Sequence, residues 1–269
     1  MGVTRKQIRQ AVGYALRDMV AGTFSEVTTS DFTDYDRIDA NASDSKYSNA
    51  WVYIVSGVRA GTERRIATYA PATGVFTISR SWDLPAAADE YEIHQLLEPE
   101  EINRLISEAL VTLPYEVSEV ISHVDEQAQY DLSSYPWLTD WNQVVDLRWR
   151  YGDTDGEYLY YAVPYWQVRD IGGVLTLCVP PERVGGDLVM TCHRYYDALN
   201  EDTDATTCPL DWVQQAVIVG AYALLARQAP AKDANRYDEK WAREMTVLGQ
   251  KNRKYAPRPR LFAHYPDAV

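Results

Sequence analysis

The residues best suited to chemistry in this chain are its histidines, cysteines and clustered acids, and their spacing argues against most sites they could build. His94, His123, His193 and His264 lie far apart. None has a second ligand at the i+4 spacing that lets one helix face grip zinc, so structural roles are expected. Cys192 and His193 are adjacent, but neighbours on a strand point to opposite faces and do not readily share a metal. The three cysteines, Cys178, Cys192 and Cys208, are few, odd in number and widely spaced. Neither a disulfide framework nor a zinc ribbon fits them, and reduced thiols are expected.

The acids fare similarly. Asp153-Thr-Asp155-Gly156-Glu157 opens like a calcium loop but lacks the later ligands and the bidentate acid, and Asp-Gly is a common hairpin signal, so a turn is favoured over a metal. Asp31, Asp34, Asp36, Asp39 and Asp44 are interleaved with Ser, Thr and Asn and read as a solvated surface, with weak divalent-ion binding left open. Glu100-Glu101 and Asp238-Glu239 fall on predicted helices, where adjacent side chains diverge. Gly57-Val-Arg-Ala-Gly61 is followed by Thr-Glu rather than Lys-Ser, so it is no phosphate cradle. A Gly-x-Ser-x-Gly elbow and a dinucleotide fingerprint are also missing. The chain is therefore expected to be no enzyme and to use no cofactor or metal, although two distant carboxylates could still serve a glycosidase.

Any site must be positioned by the elements around it. The 269 residues exceed one typical domain, and two or three modules are expected. With 46% hydrophobic and 24% charged residues the composition is that of a globular protein, and no apolar run is long enough for a membrane helix. The opening Met-Gly-Val-Thr-Arg-Lys-Gln keeps a helical polar pattern rather than an apolar signal centre, so no export is expected. Twenty Tyr and eight Trp against four Phe suit either interfaces or a tyrosine-rich β core. The net charge is −13, but residues 225–260 hold ten Lys and Arg against four acids, a net +6 that leaves −19 elsewhere. An acidic bulk repels phosphate backbones, which argues against ordinary nucleic-acid binding and suits a surface that DNA passes without sticking.

Thr4 with Gln7 has the form of a capping box, and Ile8, Val12, Ala15, Leu16 and Met19 follow at helical spacing. Residues 24–49 read as loop or short edge strand. Short strands are predicted over 51–55, 65–69, 75–79 and 91–93, separated by Gly57, Gly61 and Thr73-Gly74, and should close into a small barrel or sandwich. Pro99, flanked by Glu98, Glu100 and Glu101, starts a second helix. Pro114 interrupts before Val117, Val120, Ile121 and Val124 resume the same apolar spacing, implying a kink or turn there. Strand-like segments return over 144–196 with turns at Asp155-Gly156, Gly172-Gly173 and Gly185-Gly186. Two helices are then predicted, from Leu210 to Pro230 and from about Lys232 to Gln250. Residues 251–260 hold five cations and no acid, with prolines among them, and predict an extended arm over 251–269 that could reach about 60 Å at roughly 3.3 Å per residue. Its candidate partner-binding residues are Lys251, Arg253, Lys254, Tyr255, Arg258, Arg260, Phe262 and Tyr265, because rings and prolines at intervals supply anchors that lose little entropy on docking.

The fold expected is α+β: a helical bundle core, small antiparallel β modules inserted into it, and an extended C-terminal arm. The helical core would use 1–23 with 98–130 and then 208–250, a first β module 24–97, a second 140–198, and the arm 251–269.

The order of pieces carries a resemblance. Thr4-Arg5-x-Gln7-Ile8-Arg9 opens the first helix. There follow Trp51-Val-Tyr53-Ile, Ser56-Gly57, Gly61-Thr-Glu-Arg64-Arg65-Ile66, Tyr69, Thr73-Gly74, Trp82 and Asp89-Glu-Tyr91-Glu-Ile93. This series resembles head-to-tail adaptor proteins of tailed bacteriophages, best over residues 4–110. Pro209-Leu-Asp-Trp212 and Asp233-Ala-Asn-Arg236-Tyr237 to Trp241 are similar to adaptor C-terminal helices at the level of pattern. The resemblance implies a virion structural protein of the neck and tail region, made in the host cytoplasm. It would form a homo-oligomeric ring of twelve copies that docks under the portal protein, carries tail, nozzle or fibre proteins, and lets genomic DNA pass without specific binding. No catalytic residue comes with it. The second β module exceeds that of the smallest adaptors, which leaves the tail partner open. The competing readings are a tail nozzle or baseplate adaptor, and a tail-associated carbohydrate binder using Trp137, Trp141, Trp149 and Trp166.

Overall fold

The computed structural model describes residues 2–83, 85–152, 158–181 and 186–256. The chain divides into two compact units, one from residues 1–112 and 196–254, the other built on 113–195.

The first unit opens with β1 (Val3–Thr4) and α1 (Arg5–Leu16). Thr4 Oγ1 accepts from the Gln7 amide while the Gln7 side chain accepts from the Thr4 amide, so the capping box fixes where the helix starts. Arg17 adopts the left-handed conformation that ends it. The chain then runs through β2 (Met19–Thr23), β3 (Glu26–Val27), β4 (Asp31–Thr33), β5 (Trp51–Ile54), β6 (Glu63–Ala70), β7 (Val75–Ile78) and β8 (Glu90–His94). These strands form one antiparallel sheet in the order β2-β8-β5-β6-β7-β4-β3. Its two ends, β2 and β3, are separated only by Phe24 and Ser25, so they are stretches of one bent strand and the sheet curls into a small barrel. Its interior is aromatic: Phe24, Phe32, Phe76, Trp82 and Tyr91 are buried together, and Phe32 stacks on Phe76 at 4.6 Å.

After the barrel come α2 (Pro99–Leu110), β9 (Pro114–Ile121), β10 (Gln129–Asp131), β11 (Val144–Gly152), β12 (Tyr158–Ala162), β13 (Gln167–Ile171), β14 (Val174–Cys178) and β15 (Asp187–Tyr195). The chain then returns to the first unit with β16 (Ala205–Thr206), α3 (Leu210–Gln228) and α4 (Ala231–Tyr255). β16 pairs with β1. Helix α3 packs against α1 and α2 and is buried on most sides, through Trp212, Val213, Val217, Ala221 and Leu225.

The second unit is a sandwich. Strands in the order β12-β11-β15-β9 make one sheet and β10-β14-β13 the other. Leu147, Trp149, Leu188, Met190 and Cys192 from the first share a core with Tyr130 and Leu177 from the second.

A helical bundle core with inserted β modules is therefore wrong: the described residues are mostly β, in antiparallel sheets of seven, four, three and two strands, with four α-helices. The largest misreading is at Pro114. Val117 and Ile121 are four residues apart, which fits a helix face, but four is also an even number, which fits one face of a strand. Pro114 and the β-branched residues after it decide for the strand: α2 stops at Leu110, and Val117 and Ile121 pack on the sandwich core. Residues 24–49, expected as loop or edge strand, contain β3 and β4, and Phe24, Phe32 and Tyr47 complete the barrel core. The extended arm also needs correction, because α4 continues through residues 251–255. Residues 257–269, including Arg258, Arg260, Phe262, His264 and Tyr265, lie outside the described residues, as does the Asp153-to-Glu157 turn.

Candidate functional site

The densest set of polar side chains in the first unit lies where α1 crosses β8. On that strand Tyr91 and Ile93 face the barrel interior, so Glu92 and His94 point to the opposite face. There they meet Arg9, which shares the inner face of α1 with Ile8, Val12 and Leu16. Arg9, Glu92, His94 and Asp18 are all buried. Arg9 Nε donates to Glu92 Oε2 at 2.7 Å, and its two terminal nitrogens donate to both Asp202 oxygens at 2.7 and 2.8 Å. A further bond from Arg9 reaches Asn103 of α2 at 3.0 Å. The guanidinium lies 4.2 Å over the Tyr53 ring, whose hydroxyl donates to Asp202 at 3.1 Å. Arg5, one helical turn before Arg9, also donates to Asp202 at 3.0 Å.

His94 bridges two carboxylates, with Nδ1 3.3 Å from Asp18 and Nε2 3.2 Å from Glu92. Asp18 in turn accepts from the amides of Gln95 and Leu96, which fixes the turn after β8. Burial opposes charge on His94, but its hydrogen bonds to Asp18 and Glu92 outweigh burial and raise its pKa. Glu92 is likewise penalised by burial, yet His94 and Arg9 hold its carboxyl below the usual range. Asp202 is lowered too, with Arg9 and Arg5 overcoming burial. The network thus holds opposite charges in mutual contact and ties α1, α2, the barrel and the segment before β16 into one body.

Beside it a cleft of about 760 Å³ is lined by Arg5, Tyr53, Asn103 and Asn200 together with Glu63, Glu98, Glu100, Glu101 and Glu201. Burial, a hydrogen bond to Glu98 and repulsion from it push the Glu63 carboxyl up to about 8. Glu63 therefore holds its proton into the neutral range.

The other chemistry-bearing residues are absorbed structurally. His123 bonds the Tyr130 hydroxyl and packs edge-on to Trp149. His193 Nε2 is buried with no hydrogen-bond partner, and burial lowers the ring's pKa. Cys192 and Cys208 are buried free thiols whose pKa values burial pushes up to about 12. Among the described residues, no three His, Cys, Asp or Glu side chains are grouped so as to hold a metal ion. The acids over 31–44 serve turns: Asp34 accepts from the Asp36 amide and the Tyr91 hydroxyl, Asp39 from the Asn41 amide, and Asp31 from Ser30. Of the four tryptophans of the carbohydrate reading, Trp149 is in the core, Trp137 and Trp166 pack against it, and Trp141 is exposed.

The described arm residues, 251–255, serve α4 and its contact with α3. Lys251 pairs with Asp211 at the start of α3, and the neighbouring Asn252 accepts from the Trp212 indole at 2.7 Å. Arg253 and Lys254 sit in the last turn of α4, where cations complement the helix dipole. The network itself was missed in the sequence. Its signal was present: Arg5 and Arg9 at i,i+4 on a helix, and Glu92 and His94 at i,i+2 on a strand, are charged pairs facing one way within apolar elements.

No protein-family profile matches this chain, and no curated protein sequence matches it either. No helix among the described residues is long and apolar enough to cross a membrane.

Proposed function

We propose that this chain is a virion structural protein of a tailed bacteriophage, a head-to-tail adaptor that forms a ring between portal and tail and lets DNA pass. The observation that carries the reading is the buried Arg9–Glu92 pair. It joins the two ends of the resembling segment, Thr4-Arg5-x-Gln7-Ile8-Arg9 and Asp89-Glu-Tyr91-Glu-Ile93, so two motifs far apart in sequence act as one device. The other motif residues also serve the barrel. Ser56 Oγ accepts from the Glu90 amide at 2.7 Å, and Gly57 and Gly61 take the positive φ angles that the turn between β5 and β6 requires. A barrel clamped on helices suits a subunit that transmits load without changing shape, and the net charge of −13 suits a surface past which DNA must slide.

Negative-stain microscopy of the purified protein mixed with portal-bearing heads tests this. The expected image is a ring of added density at the portal vertex. Bare heads together with clear binding on a glycan array would overturn it in favour of the carbohydrate reading.

A further inference from the structure

The second unit exposes a strand that proteins ordinarily protect. β12 is the end strand of its sheet and, among the described residues, pairs with β11 alone. All five of its residues, Tyr-Leu-Tyr-Tyr-Ala, are exposed, with Tyr158, Leu159, Tyr160 and Tyr161 each about half accessible. Val163 donates to Leu147 across the pair, and antiparallel strands alternate the side to which backbone groups point. Residues 159 and 161 therefore bond β11, while the amides and carbonyls of Tyr158, Tyr160 and Ala162 point away from it. An edge strand is usually blunted by lysine, proline or a bulge. β12 has none of these.

We infer that the free edge of β12 takes up this chain's own C-terminal segment, residues 260–265, as an added strand. Three features single out that occupant. Pro259 and Pro266 bracket Arg-Leu-Phe-Ala-His-Tyr, a six-residue run without proline whose length matches the five residues of β12. The brackets would end pairing at both sides, because proline cannot donate to a ladder. The segment carries Arg260, with Arg258 just before it, and the tyrosines of β12 already accept a guanidinium, since Arg150 lies 4.7 Å over the Tyr158 ring. Asp153, Asp155 and Glu157 immediately precede the strand in sequence and are opposite in charge to those arginines. Backbone pairing would supply affinity and the rings selectivity, as in other strand additions. This gives the arm of the adaptor reading a docking surface, and rests on that reading only where the segment comes from a neighbouring copy.

Residue-resolved amide hydrogen exchange on the full-length protein tests it without any portal, so its failure and that of the adaptor reading are separable. A full-length Phe262→Pro/Ala263→Pro variant breaks the added strand in either register and leaves both units intact. The Tyr158, Tyr160 and Ala162 amides are expected to exchange at least about tenfold faster in the variant, while Leu159 and Tyr161 stay unchanged. Slowed exchange in a monomeric fraction would assign the segment to the same copy, and slowed exchange only in assemblies would assign it to a neighbour; both support the inference. Unprotected outward amides in the parent protein would overturn it. So would protection that survives in the variant, which would point instead to pairing between two β12 edges.

Discussion

Arg9 on α1 and Glu92 on β8 are both fully buried and meet at 2.7 Å, so a charge pair out of reach of water joins the first helix motif to the barrel's closing strand, beside the more exposed Lys6–Glu90 pair. Breaking such a pair strands one charge, which costs more than the pair contributes. Arg9→Met is expected to destabilise the protein by about 3–5 kcal/mol in urea unfolding. Arg9→Met with Glu92→Met should recover part of that loss, because no charge is then left alone. Equal losses for the single and double variants would refute a coupled pair.

The same network sets a pH dependence. His94 has a raised pKa in the fold, so its contribution is fully present below about pH 6.5, the unfolded value, and is lost as pH rises through the folded value. Glu92 and Asp202 are shifted down. Their contribution is present above the ordinary carboxylate range near 4 and is lost as pH falls through their folded values. Stability from this cluster is therefore expected to be greatest on the acid side of neutrality. Urea midpoints from pH 5 to 9 should decline at the alkaline end in the parent protein and decline less in His94→Gln. Parallel profiles would show that His94 does not carry the effect.

Glu63 behaves oppositely to an ordinary carboxylate. With its pKa pushed up to about 8, it favours folding in its neutral form, fully so below the unfolded value near 4.3, and that benefit is lost as pH rises through 8. Glu63→Gln keeps the site neutral at every pH. It is expected to stabilise the protein by about 1–2 kcal/mol at pH 9, a figure reduced because the cleft is partly open to solvent, and by a smaller amount at pH 6, where only part of the ionisation penalty has built up. Thermal unfolding at the two pH values separates this from a simple loss of surface charge, which would act equally at both.

Two glycines with similar backbone angles should respond differently. Gly74 has φ +67° and lies against the Asp34 carbonyl oxygen, whereas Gly172 has φ +66° and opens onto free space. Gly172→Ala meets only the left-handed strain of about 1–2 kcal/mol. Gly74→Ala adds a collision with backbone that cannot rotate away, and should cost at least about 1 kcal/mol more. Matching denaturation midpoints for the two variants would mean that the Asp34 segment yields freely.

The local grammar of the chain was readable. The Thr4 capping box, the Pro99 start of α2 and the glycine turns at 57, 61, 74 and 172–173 all follow from short-range sterics and hydrogen bonding, which a few adjacent residues encode. What could not be read was which period an apolar segment obeys when its spacing fits two, as at Val117 and Ile121. The buried network was hidden for a different reason. Arg9, Glu92 and Asp202 are separated by tens of residues, and only the barrel's closure brings them together. Singly, each looks like a solvated charge. The same blindness made the basic stretch after Gln250 look uniform, although Lys251 has a partner 40 residues earlier in α3.

That distinction decides where an arm deletion should begin. Removing residues 251–269 would take away Lys251 and Asn252, which hold Asp211 and Trp212 at the start of α3, so weakened attachment to portal-bearing heads could reflect a loosened first unit. Removing 257–269 leaves those contacts and, of the candidate arm residues, takes away only Arg258, Arg260, Phe262 and Tyr265. The shorter deletion is expected to leave the urea midpoint within about 0.5 kcal/mol of the parent, as surface changes usually do, while lowering attachment by about tenfold or more through loss of a tethered contact. Sedimentation of heads with bound protein measures this. Unchanged attachment would remove the arm from the adaptor mechanism, and an equal fall in stability would show that the arm belongs to the fold rather than to the interface.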